Sequence, residues 1–310
     1  MKIVFLDAQT MGDDIDLSLF KSFGEFKTYE TTKPSECTEH IADANIVLTN
    51  KVVIDKAVMD ACPNLQLICV TATGTNNVDL AYASEKGIAV KNVAGYSTAS
   101  VAQTTIMLAL NLIGHAAYYD NFVKKGGWVS APTFTHIERP FWEIKGKRWG
   151  IIGLGTIGKE VAKIATAFGA EVVYYSTSGA NNDALYKRVS LEEMLQTCSI
   201  ITIHAPLNAQ TKGLIDEKAL HKMKEGTVLV NVGRGGIIDE VALAKIIDEK
   251  ELYVGLDVLE AEPMQKGHPL LAVQHHERLI ITPHVAWASV EARTALMRLV
   301  ANNIQTFLNH

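Results

Sequence analysis

Short apolar runs rich in β-branched residues alternate with helical patterns along almost the whole chain. Continuous apolar strands that alternate with helices indicate parallel sheets covered on both faces. The strands fall into two series, one before residue 98 and one from residue 149 onward. The chain is therefore predicted to be an α/β protein with two doubly wound parallel-sheet domains. The predicted strands are 2–7, 26–30, 45–50, 65–73 and 88–93, followed by GIIGL, EVVYY, SIITIH, TVLVNV, YVGLDV and LIITPH in the second series.

Length and composition agree with a two-domain globular protein. The sequence has 310 residues, which suggests about two domains of roughly 150 residues each. Hydrophobic residues make up 48% of the chain and charged residues 20%, as in packed globular proteins. The net charge of −5 gives no overall attraction for nucleic acid. No nucleic-acid partner is therefore expected.

Several features of the chain favour a cytoplasmic location. The first residues, MKIVFLDAQTMGDD, contain neither the apolar region nor the cleavage site of a signal peptide. The longest apolar stretch, 101–117, is interrupted by polar residues and predicts a buried helix rather than a membrane span. The cysteines lack metal-ligand spacing, so we expect reduced thiols and no metal site. These cysteines are Cys37, Cys62, Cys69 and Cys198.

A long helical segment, 98–119, separates the two strand series. It is interpreted either as a core helix or as an interdomain or dimer-forming helix, and a homodimer through the helix near 99–118 is expected. The chain ends with an amphipathic helix, about Ser289–Leu308, that no further strand follows. A final helix of this kind can return to the first domain, which would make that domain discontinuous. The predicted domains are a discontinuous one, 1–98 and 287–310, and a central one, 99–286.

A glycine-rich turn follows the first strand of the second series. Gly153, Gly155 and Gly158 form the pattern GxGxxG between the strand 149–152 and a helix predicted at 158–168. The first glycine makes a tight turn, the second lets a pyrophosphate approach the backbone, and the third allows close packing of helix on strand. The phosphates would meet free N–H groups at the helix N-terminus. The central domain, 99–286, is therefore predicted to be a dinucleotide-binding Rossmann domain, inserted into the discontinuous domain.

The end of the next strand, 171–175, is expected to meet the adenosine ribose of the dinucleotide. NAD enzymes usually carry Asp or Glu there, about 20 residues after the glycines. The residue at this position is Ser176, which does not mark a free 2′-hydroxyl. No Arg or Lys appears before Lys187 to mark a 2′-phosphate. The predicted cofactor is therefore NAD, with NADP as the alternative.

Three ionisable residues follow later strands of the same series. Arg234 follows TVLVNVG, Glu262 follows YVGLDV, and His284 follows LIITP. Because ligand sites of open parallel sheets gather at the carboxyl ends of the strands, we expect these side chains to converge. Spacing alone leaves Glu260 as an alternative to Glu262.

These residue types suit the reduction of a 2-keto acid. A guanidinium binds a carboxylate through two parallel hydrogen bonds. A histidine can donate a proton to a carbonyl oxygen near neutral pH. A carboxylate beside that histidine orients the imidazole and favours its protonated form. The predicted reaction is therefore hydride transfer between a nicotinamide and a small 2-keto acid.

Several longer motifs carry a resemblance to a known family. They are TGTNNVD (73–79), GIIGLGTIG (150–158), HAPL (204–207), NVGRGGIIDE (231–240), DVLEAEP (257–263) and TPHVAWAS (282–289). With these motifs the chain resembles, from near its start to its end, the D-isomer-specific 2-hydroxyacid dehydrogenases. The resemblance implies that the discontinuous domain, 1–98 and 287–310, is a flavodoxin-like substrate domain. It also implies an enzyme in which Arg234 binds and polarises the substrate, Glu262 is the helper carboxylate and His284 is the acid–base.

The same resemblance implies the remaining ligand contacts. Asp257 would hold the nicotinamide carboxamide, and the backbone amides of Thr73, Gly74 and Thr75 would receive the substrate carboxylate. Lys51 would face the other end of the substrate, and an exposed lysine after a strand is the alternative. Further cofactor contacts are expected in the glycine loop and in the loops after later strands, at Thr156, Ile157, His204, Ala205, Pro206, Thr211, Val232 and Gly233.

Two features resemble one branch of the family, the glycerate dehydrogenases and hydroxypyruvate reductases. They are TNK at 49–51 with GYSTASVAQ at 95–103, and Trp287 after the predicted catalytic histidine. Hydroxypyruvate or glyoxylate is therefore the expected substrate. The alternatives are another 2-hydroxyacid dehydrogenase of the same fold, of the D-lactate type or acting on phosphite, and a non-enzymatic, dinucleotide-sensing corepressor.

Overall fold

The computed structural model describes residues 1–309, which divide into two compact units. One is discontinuous and consists of residues 1–97 and 287–309; we call it the discontinuous unit. The other is the continuous segment Thr98–Ala286, which we call the central unit. Each unit contains a parallel sheet and its own hydrophobic core.

The discontinuous unit is built on a sheet of five parallel strands. Its elements before residue 98 are β1 (Lys2–Phe5), β2 (Glu25–Thr28), α1 (Cys37–Ile41), β3 (Ile46–Thr49), α2 (Lys56–Asp60), β4 (Leu67–Val70), α3 (Leu80–Glu85) and β5 (Ala89–Lys91). The strand order is β2-β1-β3-β4-β5, as in flavodoxin-like folds. Strands β3 and β4 are buried along their whole length, whereas the edge strand β2 is largely exposed. Continuous apolar runs therefore form the middle of the sheet, as predicted.

The central unit contains a sheet of seven parallel strands. Its elements are α4 (Thr98–Gly114), α5 (Ala116–Lys124), β6 (Arg148–Ile152), α6 (Thr156–Ala167), β7 (Glu171–Tyr175), β8 (Lys187–Arg188), α7 (Leu191–Thr197), β9 (Ile200–Ile203), α8 (Glu217–Lys222), β10 (Thr227–Asn231), α9 (Glu240–Glu249), β11 (Leu252–Leu256) and β12 (Leu279–Ile281). The strand order is β12-β11-β10-β9-β6-β7-β8. The direction of winding reverses between β6 and β9, which opens the crevice where dinucleotides bind in such sheets.

One strand of this sheet, β8, is absent from the sequence prediction. It has only two residues, Lys187 and Arg188, which pair with Val173 and Tyr174 of β7. Both residues of β8 are exposed, and a short charged strand is a common way to terminate a sheet edge. Because β8 contains no apolar run, the hydrophobic pattern could not reveal it. The second strand series therefore has seven members rather than the six predicted.

The predicted helix 98–119 is two helices rather than one. His115, between α4 and α5, has a left-handed backbone with φ of 49°, which ends α4. Nine residues of α4 are buried, and the helix packs on α6, β10 and β11. Gly255 of β11 leaves room for Leu108, whose Cβ lies 3.2 Å from where a Cβ on Gly255 would be. The helix α4 is therefore a core helix of the central unit.

The final helix, α10 (Val290–Leu308), belongs to the discontinuous unit. Ser289 caps it, because the Ser289 Oγ accepts the N–H of Ala292 at 3.1 Å. One face of α10 packs on β4 and joins the core that contains Phe5 and Leu48. Short 3-10 helices complete the connections of both units, at Ala8–Met11, Ser18–Phe23, Pro34–Glu36, Pro269–Ala272 and His276–Arg278.

Candidate active site

The glycine-rich turn begins directly after β6 and opens helix α6. Gly153 has φ of +90°, a backbone conformation that residues with a side chain rarely adopt. A Cβ on Gly158 would lie 2.3 Å from the carbonyl oxygen of Gly153, so only glycine lets the helix pack this closely. No atom lies within 4 Å of where a Cβ on Gly155 would be. The turn is therefore tight on its inner side and open above Gly155, at the N-terminus of α6.

Three loops of the central unit meet around Ala205. A Cβ on Gly153 would lie 2.9 Å from the Ala205 nitrogen, and a Cβ on Gly233 would lie 3.1 Å from the Ala205 oxygen. Within the loop that follows, the Thr211 hydroxyl donates to the carbonyl oxygen of Pro206 at 2.6 Å. These contacts bring the predicted cofactor residues after β6, β9 and β10 together. The Thr211 hydroxyl is used for a hydrogen bond within its own loop.

Two features of this crevice fit a dinucleotide. Helix α6 begins directly after Gly155, where no neighbouring segment fills the space, and the first backbone N–H groups of a helix are suited to hold a pyrophosphate there. His204 has both ring nitrogens buried, and neither has a hydrogen-bond partner within residues 1–309. Burial lowers the pKa of His204 to about 3, so the ring is neutral and can exchange hydrogen bonds with a polar ligand. The residues present therefore suit a bound NAD or NADP.

The loop after β7 contains Ser176, the residue predicted to meet the ribose. Ser176 is buried, and its Oγ accepts the backbone N–H of Asn181 at 3.3 Å. The Asn181 side chain donates to the carbonyl oxygen of Leu154, in the glycine turn, at 2.6 Å. Asn181 therefore ties the ribose loop to the phosphate loop, a role that spacing alone did not suggest.

Two cations near this loop were missed by the sequence analysis. Arg188 of β8 donates from Nη1 to the carbonyl oxygen of Gly179 at 2.8 Å. Lys159 of α6 forms an ion pair with Asp183 at 2.9 Å, and this pair lowers the pKa of the Asp183 carboxyl. Neither cation lies among the first residues after β7, where a residue that binds a 2′-phosphate is expected. Pairing of β8 with β7 brings Arg188 to the loop.

His284 and Glu262 form a hydrogen-bonded pair. The His284 Nδ1 lies 2.6 Å from Glu262 Oε2, and the two side chains are 27% and 33% exposed. Because an ionised carboxylate can only accept, Nδ1 carries the hydrogen and Nε2 is the nitrogen left for another partner. The other carboxylate oxygen of Glu262 accepts the N–H of Leu259 at 3.0 Å. The alternative acid, Glu260, instead gives its backbone N–H to Glu240.

Asp257 holds the turn that carries His284. Its Oδ1 accepts the hydroxyl of Thr282 at 2.6 Å and the N–H of Val285 at 2.9 Å, and its Oδ2 accepts the N–H of Ala286 at 2.9 Å. Burial raises the pKa of Asp257 against these hydrogen bonds. The Oδ2 atom keeps one acceptor position for a further donor. Asp257 therefore has a structural task besides any contact with a ligand.

Arg234 lies in a turn that packs against the loop of Glu262. A Cβ on Gly235 would lie 1.9 Å from the carbonyl carbon of Leu259, so the two backbones touch. Asn231, at the end of β10, donates to the carbonyl oxygen of Arg234 at 2.9 Å and accepts the N–H of Gly233 at 3.0 Å. The Arg234 side chain is exposed, and its Nη1 donates to Gly233 at 2.7 Å. The structure thus gathers the loops of Arg234, Glu262 and His284 at one edge of the sheet.

The predicted substrate residues of the discontinuous unit follow two neighbouring strands. Lys51 comes after β3, and the loop 73–75 comes after β4. The Thr73 hydroxyl donates to the carbonyl oxygen of Val93 at 3.0 Å, and Thr75 accepts the N–H of Val78 at 3.0 Å. Hydrogen bonds to its own unit therefore order this loop.

Residues 1–309 contain no group of three or more His, Cys, Asp or Glu side chains arranged to hold a metal ion. Within the same residues, no helix has the length and apolarity needed to cross a membrane. The four cysteines are buried, and none forms a disulfide.

The sheet order, the glycine turn and the histidine–carboxylate pair define a dinucleotide-dependent dehydrogenase. Residues 106–286 match the family model described as "D-isomer specific 2-hydroxyacid dehydrogenase, NAD binding domain". The chain belongs to the D-isomer specific 2-hydroxyacid dehydrogenase family. It is an enzyme of that family, and its central unit contains the NAD-binding domain.

Relatives within the family align over almost the whole chain. A hydroxypyruvate reductase of Blautia hydrogenotrophica is 38% identical, over 99% of this chain and 97% of that protein. A glycerate dehydrogenase of Methylorubrum extorquens is 36% identical, over 99% of this chain and 96% of its own length. The crystal structure of an NADPH-dependent glyoxylate/hydroxypyruvate reductase from Sinorhizobium meliloti, in complex with NADP and malonate, superposes with a TM-score of 0.82. It is 26% identical and covers 99% of this chain and 93% of that chain.

Proposed function

We propose that the enzyme reduces hydroxypyruvate and glyoxylate to D-glycerate and glycolate. The observation that carries the chemistry is the 2.6 Å contact between His284 and Glu262, at the sheet edge that also carries the glycine turn. The choice of substrate is supported by the hydroxypyruvate and glyoxylate reductases among the relatives.

The proposed roles follow from the geometry of each side chain. A bound reduced nicotinamide supplies a hydride for the carbonyl carbon of the keto acid. His284, with Nδ1 held by Glu262, donates a proton from Nε2 to the carbonyl oxygen. Arg234 binds the substrate carboxylate and polarises the carbonyl, since its guanidinium can pair with two oxygens. Asp257 accepts from the nicotinamide carboxamide through the acceptor position left on Oδ2.

The discontinuous unit is proposed to bind the keto acid, and the central unit to bind the cofactor. The backbone amides of Thr73, Gly74 and Thr75 would receive the carboxylate. Lys51 would face the polar end of the substrate and hydrogen-bond a hydroxymethyl group. A branched apolar keto acid cannot hydrogen-bond that ammonium, so it should be a poorer substrate.

A turnover assay on a panel of 2-keto acids tests this proposal. Hydroxypyruvate and glyoxylate should have a higher kcat/KM than pyruvate, and 2-ketoisocaproate should be poor. Arg234→Lys should lower kcat/KM for each keto acid, because one ammonium cannot copy a two-point contact. A preference for 2-ketoisocaproate over hydroxypyruvate would overturn the substrate assignment. Absence of turnover on the whole panel would overturn the function itself.

Cofactor choice is proposed to depend on the loop after β7. Ser176 has no carboxylate to repel a 2′-phosphate, and the Arg188 guanidinium contacts the same loop. We therefore expect both NADH and NADPH to be used, with a bias under about 100-fold, or roughly 2.7 kcal/mol. NADH remains the first choice, because the Lys159 ammonium is already paired with Asp183.

Two variants test this view of the cofactor site. Ser176→Asp should lower kcat/KM with NADPH and leave NADH unchanged or better, since like charges repel. Arg188→Ala should lower the use of NADPH more than that of NADH. If the wild-type kcat/KM differs between NADH and NADPH by about 1000-fold, roughly 4 kcal/mol, then other residues recognise the ribose.

The enzyme is also proposed to be a cytoplasmic homodimer. The helix near 99–118, predicted to form the dimer, exposes Met107 (45%) and Leu110 (38%), and the segment after α5 exposes Val129 (91%) and Phe134 (89%). Exposed apolar side chains of this kind are found at interfaces. The unpaired cysteines suit a reducing compartment. Val129→Asp with Phe134→Asp should yield a monomer in sedimentation. Leu185→Asp, an equally exposed control elsewhere, should not.

A further inference from the structure

A buried carboxylate, Asp7, lies just beyond the carboxyl end of β1. It is only 6% exposed, and both of its oxygens face the backbone of the turn 50–52. Its Oδ1 accepts the N–H of Asn50 at 2.8 Å, and its Oδ2 accepts the N–H of Lys51 at 2.7 Å and that of Val52 at 3.4 Å. Three consecutive backbone amides therefore converge on one side chain.

Only a carboxylate satisfies this arrangement. Both carboxylate oxygens of Asp7 accept backbone N–H groups. An asparagine of the same shape would place its NH₂ group, which is itself a donor, against one of these N–H groups. Burial raises the pKa of Asp7 in spite of these hydrogen bonds and of the nearby positive charge of Lys51. A buried charge of this kind is costly, and the proposed reaction assigns Asp7 no task.

The turn held by Asp7 is connected to the loop after β4. The side chain of Asn50 donates to the carbonyl oxygen of Thr71 at 3.3 Å, two residues before Thr73. The side chain of Asn77, just after that loop, donates to the carbonyl oxygen of Val52 at 3.0 Å. The turn 50–52 is therefore joined to both ends of the loop that contains Thr73, Gly74 and Thr75.

We infer that Asp7 is a positioning residue that sets the Lys51 turn and, through it, the loop 73–75 for binding of the keto acid. The inference rests on the proposed function, because it takes Lys51 and that loop as the substrate contacts. Asp7 itself is buried beneath the turn and does not touch substrate. Its contribution is the fixed arrangement of backbone donors and of the Lys51 ammonium before substrate arrives.

Asp7→Asn is the direct test, because it keeps the shape and removes the charge. The KM for hydroxypyruvate should rise by roughly tenfold or more, since misplaced positioning groups cost up to about 10²-fold. The kcat should change much less, and the Kd for NADH should stay the same. An unchanged KM, or equal losses in KM and in NADH affinity, would overturn the inference.

A matched variant separates positioning from general destabilisation. Ile304→Ala removes a buried side chain of α10 in the same unit, from a core cluster that does not include the turn 50–52, and should lower stability. Its KM should remain near that of the wild type. If Ile304→Ala raises KM as much as Asp7→Asn does, the effect of Asp7 is merely structural.

A double-mutant cycle with Lys51→Met tests whether Asp7 acts through the turn. The combined effect on KM should be smaller than the product of the two single effects, because both changes disrupt one binding element. Independent, multiplicative effects would overturn the coupling.

Amide hydrogen exchange gives a readout that needs no turnover. In ligand-free protein, Asp7→Asn should speed exchange at residues 50–52 and 71–78 and leave β7 and α6 unchanged. Unchanged exchange at residues 50–52 would overturn the inference. A wild type that reduces no keto acid, with exchange altered as expected, would instead count against the proposed function.

Discussion

At the scale of single residues, the position of His284 is set by its neighbours rather than by its own conformational preference. Its φ of 54° is uncommon for a residue with a side chain. The backbone N–H of His284 donates to the carbonyl oxygens of Asp257 and Thr282, both at 2.9 Å, which holds this conformation. Such conformations occur at functional sites, where the surrounding contacts outweigh the local cost. The imidazole is thereby directed at Glu262 before any ligand binds.

Removing the carboxylate from this pair should slow proton transfer to the substrate. Glu262→Gln keeps the shape of the side chain and replaces a charge-assisted hydrogen bond to the His284 Nδ1 with a neutral one, so kcat should fall because the imidazole is held less firmly. His284→Ala should lower kcat by about 10²–10⁴-fold with little change in NADH binding. The measurements are kcat for hydroxypyruvate and the Kd for NADH in both variants. An unchanged kcat in Glu262→Gln would assign the wrong role to Glu262.

His204 makes the cofactor-free protein sensitive to acid. Burial lowers its pKa from 6.5 to about 3, so the folded state binds this proton less readily than the unfolded chain. Stability should therefore fall as the pH drops below 6.5 and continue to fall toward 3, by about 2 kcal/mol between pH 7 and pH 5. Urea unfolding of His204→Leu should show a smaller loss over that range. The exposed His221, changed to Gln, should behave like the wild type, and equal slopes in all three proteins would contradict the assignment.

At the scale of elements, the packing of α4 on β11 depends on one glycine. A side chain at Gly255 would meet Leu108 and Leu112 of α4, at 3.2 and 3.4 Å from its Cβ. The helix lies close to the strand for this reason, and the break at His115 ends it where α5 begins. The sequence pattern predicted helix across this region and could not locate the break, because a left-handed histidine leaves no periodic signal.

Gly255→Val should loosen this contact. Overpacking in a well-packed core costs about 1–3 kcal/mol, and the change in the free energy of unfolding should be measured by chemical denaturation. Gly114→Ala, at the end of the same helix, adds a methyl group where no atom lies within 4 Å, so its stability should stay within about 0.5 kcal/mol of the wild type. Equal stability of both variants would show that α4 can move away from β11 at no cost.

At the scale of the whole molecule, each unit has a core of its own. The central unit is one continuous segment, and the cluster that includes Ile152, Leu229 and Leu256 lies wholly within it. The discontinuous unit depends on α10, whose residues Leu296 and Val300 join the core beneath β1, β3 and β4. A continuous segment with its own core satisfies the usual requirement for independent folding.

We therefore expect the fragment 98–286 to fold and bind NADH without reductase activity. Its Kd, measured by fluorescence titration, should lie within roughly tenfold of that of the full chain, which is about 1.4 kcal/mol. Gly155→Val is a suitable control, since a Cβ there has no atom of another segment within 4 Å and the side chain would enter the space left for the pyrophosphate. A fragment that folds yet binds NADH no better than this control would contradict the division of roles between the units.

Much of the fold follows from local sequence. The runs Ile46–Thr49 and Thr227–Asn231 are continuously apolar for most of their length, so both faces of each strand can be buried, and both form strands in the middle of their sheets. The glycine pattern at 153–158 lies between a strand and a helix, as its motif requires. In parallel sheets the carboxyl ends of neighbouring strands share an edge, so residues after separate strands could be expected at one place. Periodicity and motif spacing are local properties, and one sequence is enough to display them.

Tertiary structure decided the details that depend on contacts between distant segments. Spacing could not distinguish Glu262 from Glu260, and only the folded loop places Glu262 at 2.6 Å from His284. Arg188 reaches the ribose loop because β8 pairs with β7, and Asp7 reaches residues 50–52 because β1 and β3 are neighbours in their sheet. These partners are separated by about ten to forty residues, and their approach is determined by the packing of whole strands. No local sequence pattern predicts these contacts, because the free energy that brings the segments together comes from the assembled core.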